Sequence, residues 1–97
     1  MDKLRKMQLL LLKIPKGKVV SYKEIARKLK IHPRAAGGLV GSNPDGDKYP
    51  CYKVVCSDGS LGGYSTPKGV REKMRRLKKD GIVIKNGKIA KKHFFRF

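Results

Sequence analysis

The residues best suited to chemistry lie in one run, 49–65, YPCYKVVCSDGSLGGYS. Cys51 follows a proline and precedes Tyr52 and Lys53, where loop gives way to strand character. A cysteine reacts as its thiolate, and a positive neighbourhood favours that form. Cys51 is therefore a candidate nucleophile. Cys56 follows Val54 and Val55 in a strand pattern. A cysteine in such a place is commonly a small buried hydrophobe, and a core role is expected. The C-x4-C pair has no further Cys or nearby His, since His32 and His93 are distant in sequence. Neither a zinc site nor a disulfide is expected, and no cofactor or metal is implied.

Several short elements must position this thiol. Residues 2–13 show a helical period, with Leu4, Met7, Gln8, Leu11 and Leu12 on one face. Ile14-Pro15 ends that helix. Ser21 with Glu24 three residues on forms a capping-box pattern for a helix over about 22–30. Ile25, Ala26 and Leu29 face inward. After KIHP, Pro33 suits the first turn of a second helix, about 33–42. Its residues, RAAGGLVGS, are mostly small and would let a partner approach the backbone closely. Two short helices joined by a tight turn form a helix-turn-helix, whose second helix lies against the duplex.

Asn43-Pro44 breaks that helix, and KVVC at 53–56 predicts a short buried strand. A third amphipathic helix is predicted over about 67–80, with Val70, Met74 and Leu77 inward and Gly81 as its stop. The runs around Asn86-Gly87 predict a hairpin at about 82–90, which would act as a wing. The apolar tail HFFRF is expected to pack on that hairpin or on a partner. The expected fold is mainly α with a small β-hairpin, a winged helix-turn-helix forming a single domain over 1–97.

The chain carries 25 Lys and Arg against 7 Asp and Glu, a net charge of +18. Such a surface attracts polyanions, and nucleic acid is the favoured partner. The apolar run at 9–12 is too short to span a bilayer and lacks a cleavage site. A cytoplasmic location is expected, with no membrane partner.

The 49–65 run resembles the active-site segment of the O6-alkylguanine-DNA alkyltransferases, whose signature is Pro-Cys-His-Arg-Val followed by a Gly-Tyr-Ser loop. VVSYKEIA at 19–26 is similar to that family's Ser-Tyr-x-x-Leu-Ala segment. RAAGGLVGSNP at 34–44 is similar to its recognition helix. The likeness spans about residues 4–90, the DNA-binding and catalytic domain. It implies direct repair, in which O6-alkylguanine is flipped from duplex DNA and its alkyl group passes irreversibly to Cys51, once per molecule. Flipping is required because a stacked base cannot present its O6 to a thiolate.

The resemblance also implies roles for other residues. Tyr22 would push on the phosphate beside the target nucleotide and help rotate it out. Arg34 would enter the stack in place of the flipped base, as a planar cation can. Ala35 and Gly38 would lie against the minor groove, and Asn43 would be the hinge that ends the recognition helix. Lys53 stands where the family has arginine and is expected to contact DNA. Tyr64 and Ser65 would close on the base, with Lys73 near the same pocket. Asp80 falls where the family has a glutamate behind the catalytic histidine.

The departure is Tyr52, which occupies the position of the family's histidine. That histidine relays the cysteine proton through a water. A phenol titrates near ~10 and is a poor base at neutral pH. The triad Cys-His-Glu thus becomes Cys51-Tyr52-Asp80, and the thiolate would owe more to the positive field, with Lys53 contributing. This admits a second function class. Alkyltransferase-like proteins share the fold, replace the cysteine, bind alkylated guanine without transfer and pass it to excision repair. The retained Cys51 favours transfer, excision-repair proteins would be partners only on the second class, and a monomer is expected.

Overall fold

The computed structural model describes residues 2–61 and 67–97, with side chains from 69 onward in the second stretch. Asp2 caps helix α1 (Lys3–Leu11) by accepting from the Arg5 N–H. Met7, Gln8, Leu10 and Leu11 are its buried face. Leu12, expected inward, is the C-terminal cap and is 54% exposed. Position 12 lies off the face that Met7, Leu10, Leu11 and Ile14 bury, and Leu10 is inward in its place.

Strand β1 (Val20–Ser21) leads directly into α2 (Tyr22–Leu29). The Ser21 hydroxyl accepts the Glu24 N–H at 3.0 Å, as a cap should. The reciprocal half of the expected capping box is missing. The Glu24 carboxylate accepts from Arg27 and from the Phe97 N–H at 3.0 Å instead. Lys30 turns the chain in the left-handed region at φ 57. Helix α3 (Pro33–Gly41) follows, capped by the His32 ring, which accepts the Arg34 N–H. Helices α2 and α3 pack on each other and on α1, the helix-turn-helix arrangement expected from sequence.

Beyond a loop, Cys51–Lys53 form a short 3-10 turn, and β2 (Val54–Val55) pairs in parallel with β1, Val20 opposite Val54. Side chains alternate across a strand. Val20 and Val54 therefore enter a core with α1, α2 and α3, while Val19 and Val55 enter a second core with Leu61, Leu77, Ile82 and Ile89. The small parallel pair is the partition between the two. The expected strand at 53–56 is shorter at both ends, and Cys56 is half-buried rather than in the core.

Helix α4 (Pro67–Lys79) supports the second core through Val70, Met74 and Leu77. The wing forms as predicted: β3 (Ile84–Lys85) and β4 (Lys88–Ile89) flank a turn with Asn86 at φ 52 and Gly87 at φ 74. Gly59 packs against β4 so closely that a Cβ would meet the Ile89 carbonyl at 2.8 Å. The tail is paired, not free. The Val19 N–H donates to the His93 carbonyl at 2.8 Å, and the Phe95 N–H donates to the Val19 carbonyl at 2.7 Å. Phe95 and Phe97 then cover the first core and Phe94 the second. The tail thus seals β1 and also meets the hairpin, as one of the two expected arrangements had it: Phe94 joins the cluster of Ile84 and Ile89, and His93 accepts the Val83 N–H. Among the described residues, no helix is long and apolar enough to cross a membrane.

Candidate active site

Cys51 opens the 3-10 turn and is half-buried, with its thiol free. Its backbone N–H donates to the Tyr49 carbonyl at 2.7 Å. Tyr49 was not expected as part of the site, and it ties this loop down. Its hydroxyl accepts from Arg5 at 2.7 Å, and its carbonyl also accepts from the Asn43 side chain at 2.9 Å. Asn43 bonds Gln8 through its oxygen as well. Both ends of the Asn43 amide are engaged inside the protein. That arrangement holds the loop between α3 and Cys51, and it leaves Asn43 a positioning group rather than a surface for DNA. Gly46 lies on the sulfur, with a Cβ there 3.6 Å from Cys51 Sγ.

Lys73 is a buried cation within electrostatic reach of Cys51. It sits in the apolar stripe of α4 and is 1% exposed. Its ammonium donates to the Val54 carbonyl at 2.7 Å, to the Leu61 carbonyl at 2.8 Å and to the Tyr22 hydroxyl at 3.5 Å. It also lies 5.6 Å from the centre of the Tyr22 ring. Burial pulls the Lys73 pKa down to about 8, while the charges of Cys51 and then Cys56 push it the other way. Desolvation disfavours the ammonium, and a nearby thiolate favours it. Tyr22, Lys73 and both cysteines are therefore brought into one electrostatic neighbourhood.

Lys53 departs from expectation. It is 5% exposed and points away from solvent. Its ammonium donates to the Pro15 carbonyl at 3.0 Å and lies 3.1 Å from Asp80 Oδ2. The same Asp80 oxygen accepts the Gly17 N–H at 2.9 Å. With its ammonium committed to Asp80 and the Pro15 carbonyl, Lys53 is not exposed for a phosphate contact. Asp80 is the clasp between the end of α4, the α1–β1 turn and Lys53, and its charge also reaches Tyr52.

Tyr52 lies between these groups. Burial pushes its phenol above the usual range, the Asp80 charge adds to this, and Arg76 opposes it. The Arg76 guanidinium stands 5.9 Å from the Tyr52 ring centre. Arg76 also pairs with Asp47 at 2.8 Å and donates to the Gly46 carbonyl at 3.4 Å, which braces the segment touching the sulfur. Its place on α4 was legible, but its partners were not. A phenol held protonated is no base for the thiol at neutral pH.

The outward face of α3 carries Arg34, Ala35, Gly38, Gly41 and Ser42, all exposed. A Cβ at Gly37, Gly38 or Gly41 would meet nothing within 4 Å. Among the described residues the Arg34 guanidinium has no partner. This face is open to close backbone approach. Tyr64 and Ser65 lie outside the described residues. Among the described residues, no three His, Cys, Asp or Glu side chains converge to hold a metal ion.

Residues 4–82 match the family described as 6-O-methylguanine DNA methyltransferase, DNA binding domain. The chain is 48% identical over 87 residues to a bifunctional methyltransferase/endonuclease of Picrophilus torridus, covering 88% of this chain and 28% of that protein. It is 45% identical over 82 residues to a methylated-DNA–protein-cysteine methyltransferase of Candida glabrata, covering 82% and 39%. The chain thus spans well under half the length of these curated relatives. The O6-methylguanine-DNA methyltransferase of Pyrococcus kodakaraensis superposes with a TM-score of 0.74 at 34% identity, over 84% of this chain and 47% of that one. S. pombe Atl1, solved with damaged DNA containing O6-carboxymethylguanine, superposes with a TM-score of 0.84 at 22% identity, over 98% and 95%. At that identity the likeness is one of fold.

Proposed function

Because the chain belongs to the family of 6-O-methylguanine DNA methyltransferase DNA-binding domains, we propose that it binds duplex DNA containing O6-alkylguanine and moves the alkyl group to Cys51. The observation that carries this reading is the half-buried Cys51 thiol in the electrostatic reach of Lys73, on the loop that follows the open face of α3. Helix α3 supplies close approach through Ala35 and Gly38, and Arg34, whose guanidinium has no partner among the described residues, is a planar cation able to fill the space left by a flipped base. Tyr22, at the first turn of α2 and against Lys73, stands at the edge of the same site.

In the transfer, Cys51 Sγ attacks the alkyl carbon, the carbon–O6 bond breaks, and its electron pair passes to the guanine. The base takes a proton from solvent and leaves as guanine, while the thiol proton has been given up. Sulfur and carbon form a thioether, which has no route back to the thiol. Tyr52 does not take the thiol proton, since its phenol is held protonated. Lys73, buried as an ammonium, is the positive charge that a Cys51 thiolate would face, and the thiol proton passes to solvent.

Tyr52 favours a second outcome on the same scaffold. Without a histidine relay, lesion binding can persist while transfer is lost, which is a damage-sensing role. Intact mass after incubation with a duplex holding one O6-methylguanine separates the two. One added methyl group on the Cys51 peptide supports transfer. Lesion-dependent binding with no mass gain supports the sensor, and neither result overturns both.

A further inference from the structure

The positive charge of this chain is not concentrated on α3. That helix carries one charged residue, Arg34, whereas α4 carries seven Lys and Arg against one Glu. Helix α4 belongs to the core on the other side of the β1–β2 partition. There it forms an open cleft of about 480 Å³ lined by Lys16, Asp47, Tyr52, Arg75, Arg76, Lys79 and Asp80. Cys51 is not among its lining residues.

Both acids of the cleft are already neutralised, Asp80 by Lys53 and Asp47 by Arg76. Arg75 is shared with Glu72. Among the described residues, the side chains of Lys16 and Lys79 have neither a hydrogen bond nor an ion pair, and both residues are exposed. The cleft therefore holds unspent positive charge beside an aromatic ring. Lysines placed in this way bind a duplex through its phosphates, releasing the counterions held there. From this we infer that the cleft is a second phosphate-backbone site, which receives DNA outside the stretch that α3 contacts. The inference rests on the nucleic-acid half of the proposed function and not on alkyl transfer. The DNA comes either from the flank of the same duplex or from a second duplex.

The test is the salt dependence of binding, measured by fluorescence anisotropy on intact protein with lesion-bearing duplexes of about 12 and about 40 base pairs. The double reversal K16E/K79E is compared with K6E/K13E, which changes net charge equally on exposed positions of α1 and just beyond it. Each lost phosphate contact lowers the slope of log K against log salt by about 0.9. The expected result is a slope lower by about 2 in K16E/K79E, and little change in K6E/K13E. Loss on the longer duplex alone assigns the site to the flank of the same duplex. Loss of a second bound copy of the short duplex assigns it to another duplex. Equal slopes in both variants would show a general field effect and overturn the site. Preference for the lesion over intact DNA, read in the same titrations, reports on α3 separately. If that preference is absent while the slope still falls, the lesion-binding function fails and the cleft stands.

Discussion

Lys53 Nζ and Asp80 Oδ2 lie 3.1 Å apart, with side chains 6% and 13% exposed, and they form a buried ion pair. Removing one partner of a buried pair leaves the other charge uncompensated, which costs about 3 kcal/mol or more. Asp80→Ala also strips the acceptor from the Gly17 N–H. The expected result is a melting temperature lower by roughly 10 °C or more, given about 4–8 °C per kcal/mol at this size. Lys53→Met with Asp80→Leu should recover much of that loss. Equal damage in the single and double variants would show that the pair is not the cause.

Cys51 and Cys56 are both half-buried thiols in the field of Lys73. Only Cys51 adjoins the loop after α3. Cys51→Ser is expected to bind the lesion and gain no alkyl mass, while Cys56→Ser gains it as the wild type does. Peptide mapping after exposure to the methylated duplex decides this. An alkyl group on Cys56 would relocate the nucleophile.

Tyr52 and Lys73 separate two ways of activating the thiol. With the phenol already protonated, Tyr52→Phe should change the single-turnover rate by no more than about threefold, well below the range for a lost acid or base. Lys73→Met should lower it about 100-fold, the lower end of that range. A large loss in Tyr52→Phe with a small one in Lys73→Met would reverse the assignment.

Lys73 also predicts a pH effect on stability. Folded, it titrates at about 8, against 10.5 for an ordinary lysine. Between those values the unfolded chain holds a proton that the folded chain has released, so stability contributed at this site rises with pH through that window. Below about 8 the buried ammonium is a burden on the fold. Denaturant midpoints at pH 7 and pH 9.5 should move in favour of the wild type relative to Lys73→Met as pH rises. Parallel shifts in the two proteins would contradict this.

His93 fastens the wing and tail through a neutral ring. Its Nε2 accepts the Val83 N–H at 3.1 Å, which leaves Nδ1 to donate to the Gly17 carbonyl at 3.0 Å. His93→Leu strands both backbone groups, and each buried polar group left unpaired costs about 1–3 kcal/mol. Hydrogen exchange at Val83 should accelerate in that variant ahead of exchange in α2. Uniform acceleration would indicate that the ring serves the whole fold and not the wing.

Much of this protein was legible in order along the chain. Helix periods, the Ser21 cap, Pro33 at a helix start and the Asn86-Gly87 turn all act between near neighbours, so their residue types suffice to place them. Cys51, after a proline where loop gives way to strand character, likewise stood out from Cys56 as the thiol to watch. What the sequence alone left open was decided by contacts between residues far apart. Lys53 has the type of a surface cation, yet Asp80, 27 positions later, draws it inside. Lys73 reads as one charge among many, yet its place in the Val70–Met74–Leu77 stripe puts it in the core, bonded to the Val54 and Leu61 carbonyls. The tail's apolar residues demanded burial without naming a partner, and Val19, with one free backbone edge, supplied it. A local pattern states what a segment needs; only the tertiary structure determines which distant group meets that need, because burial, pairing and field depend on distances that sequence separation does not set.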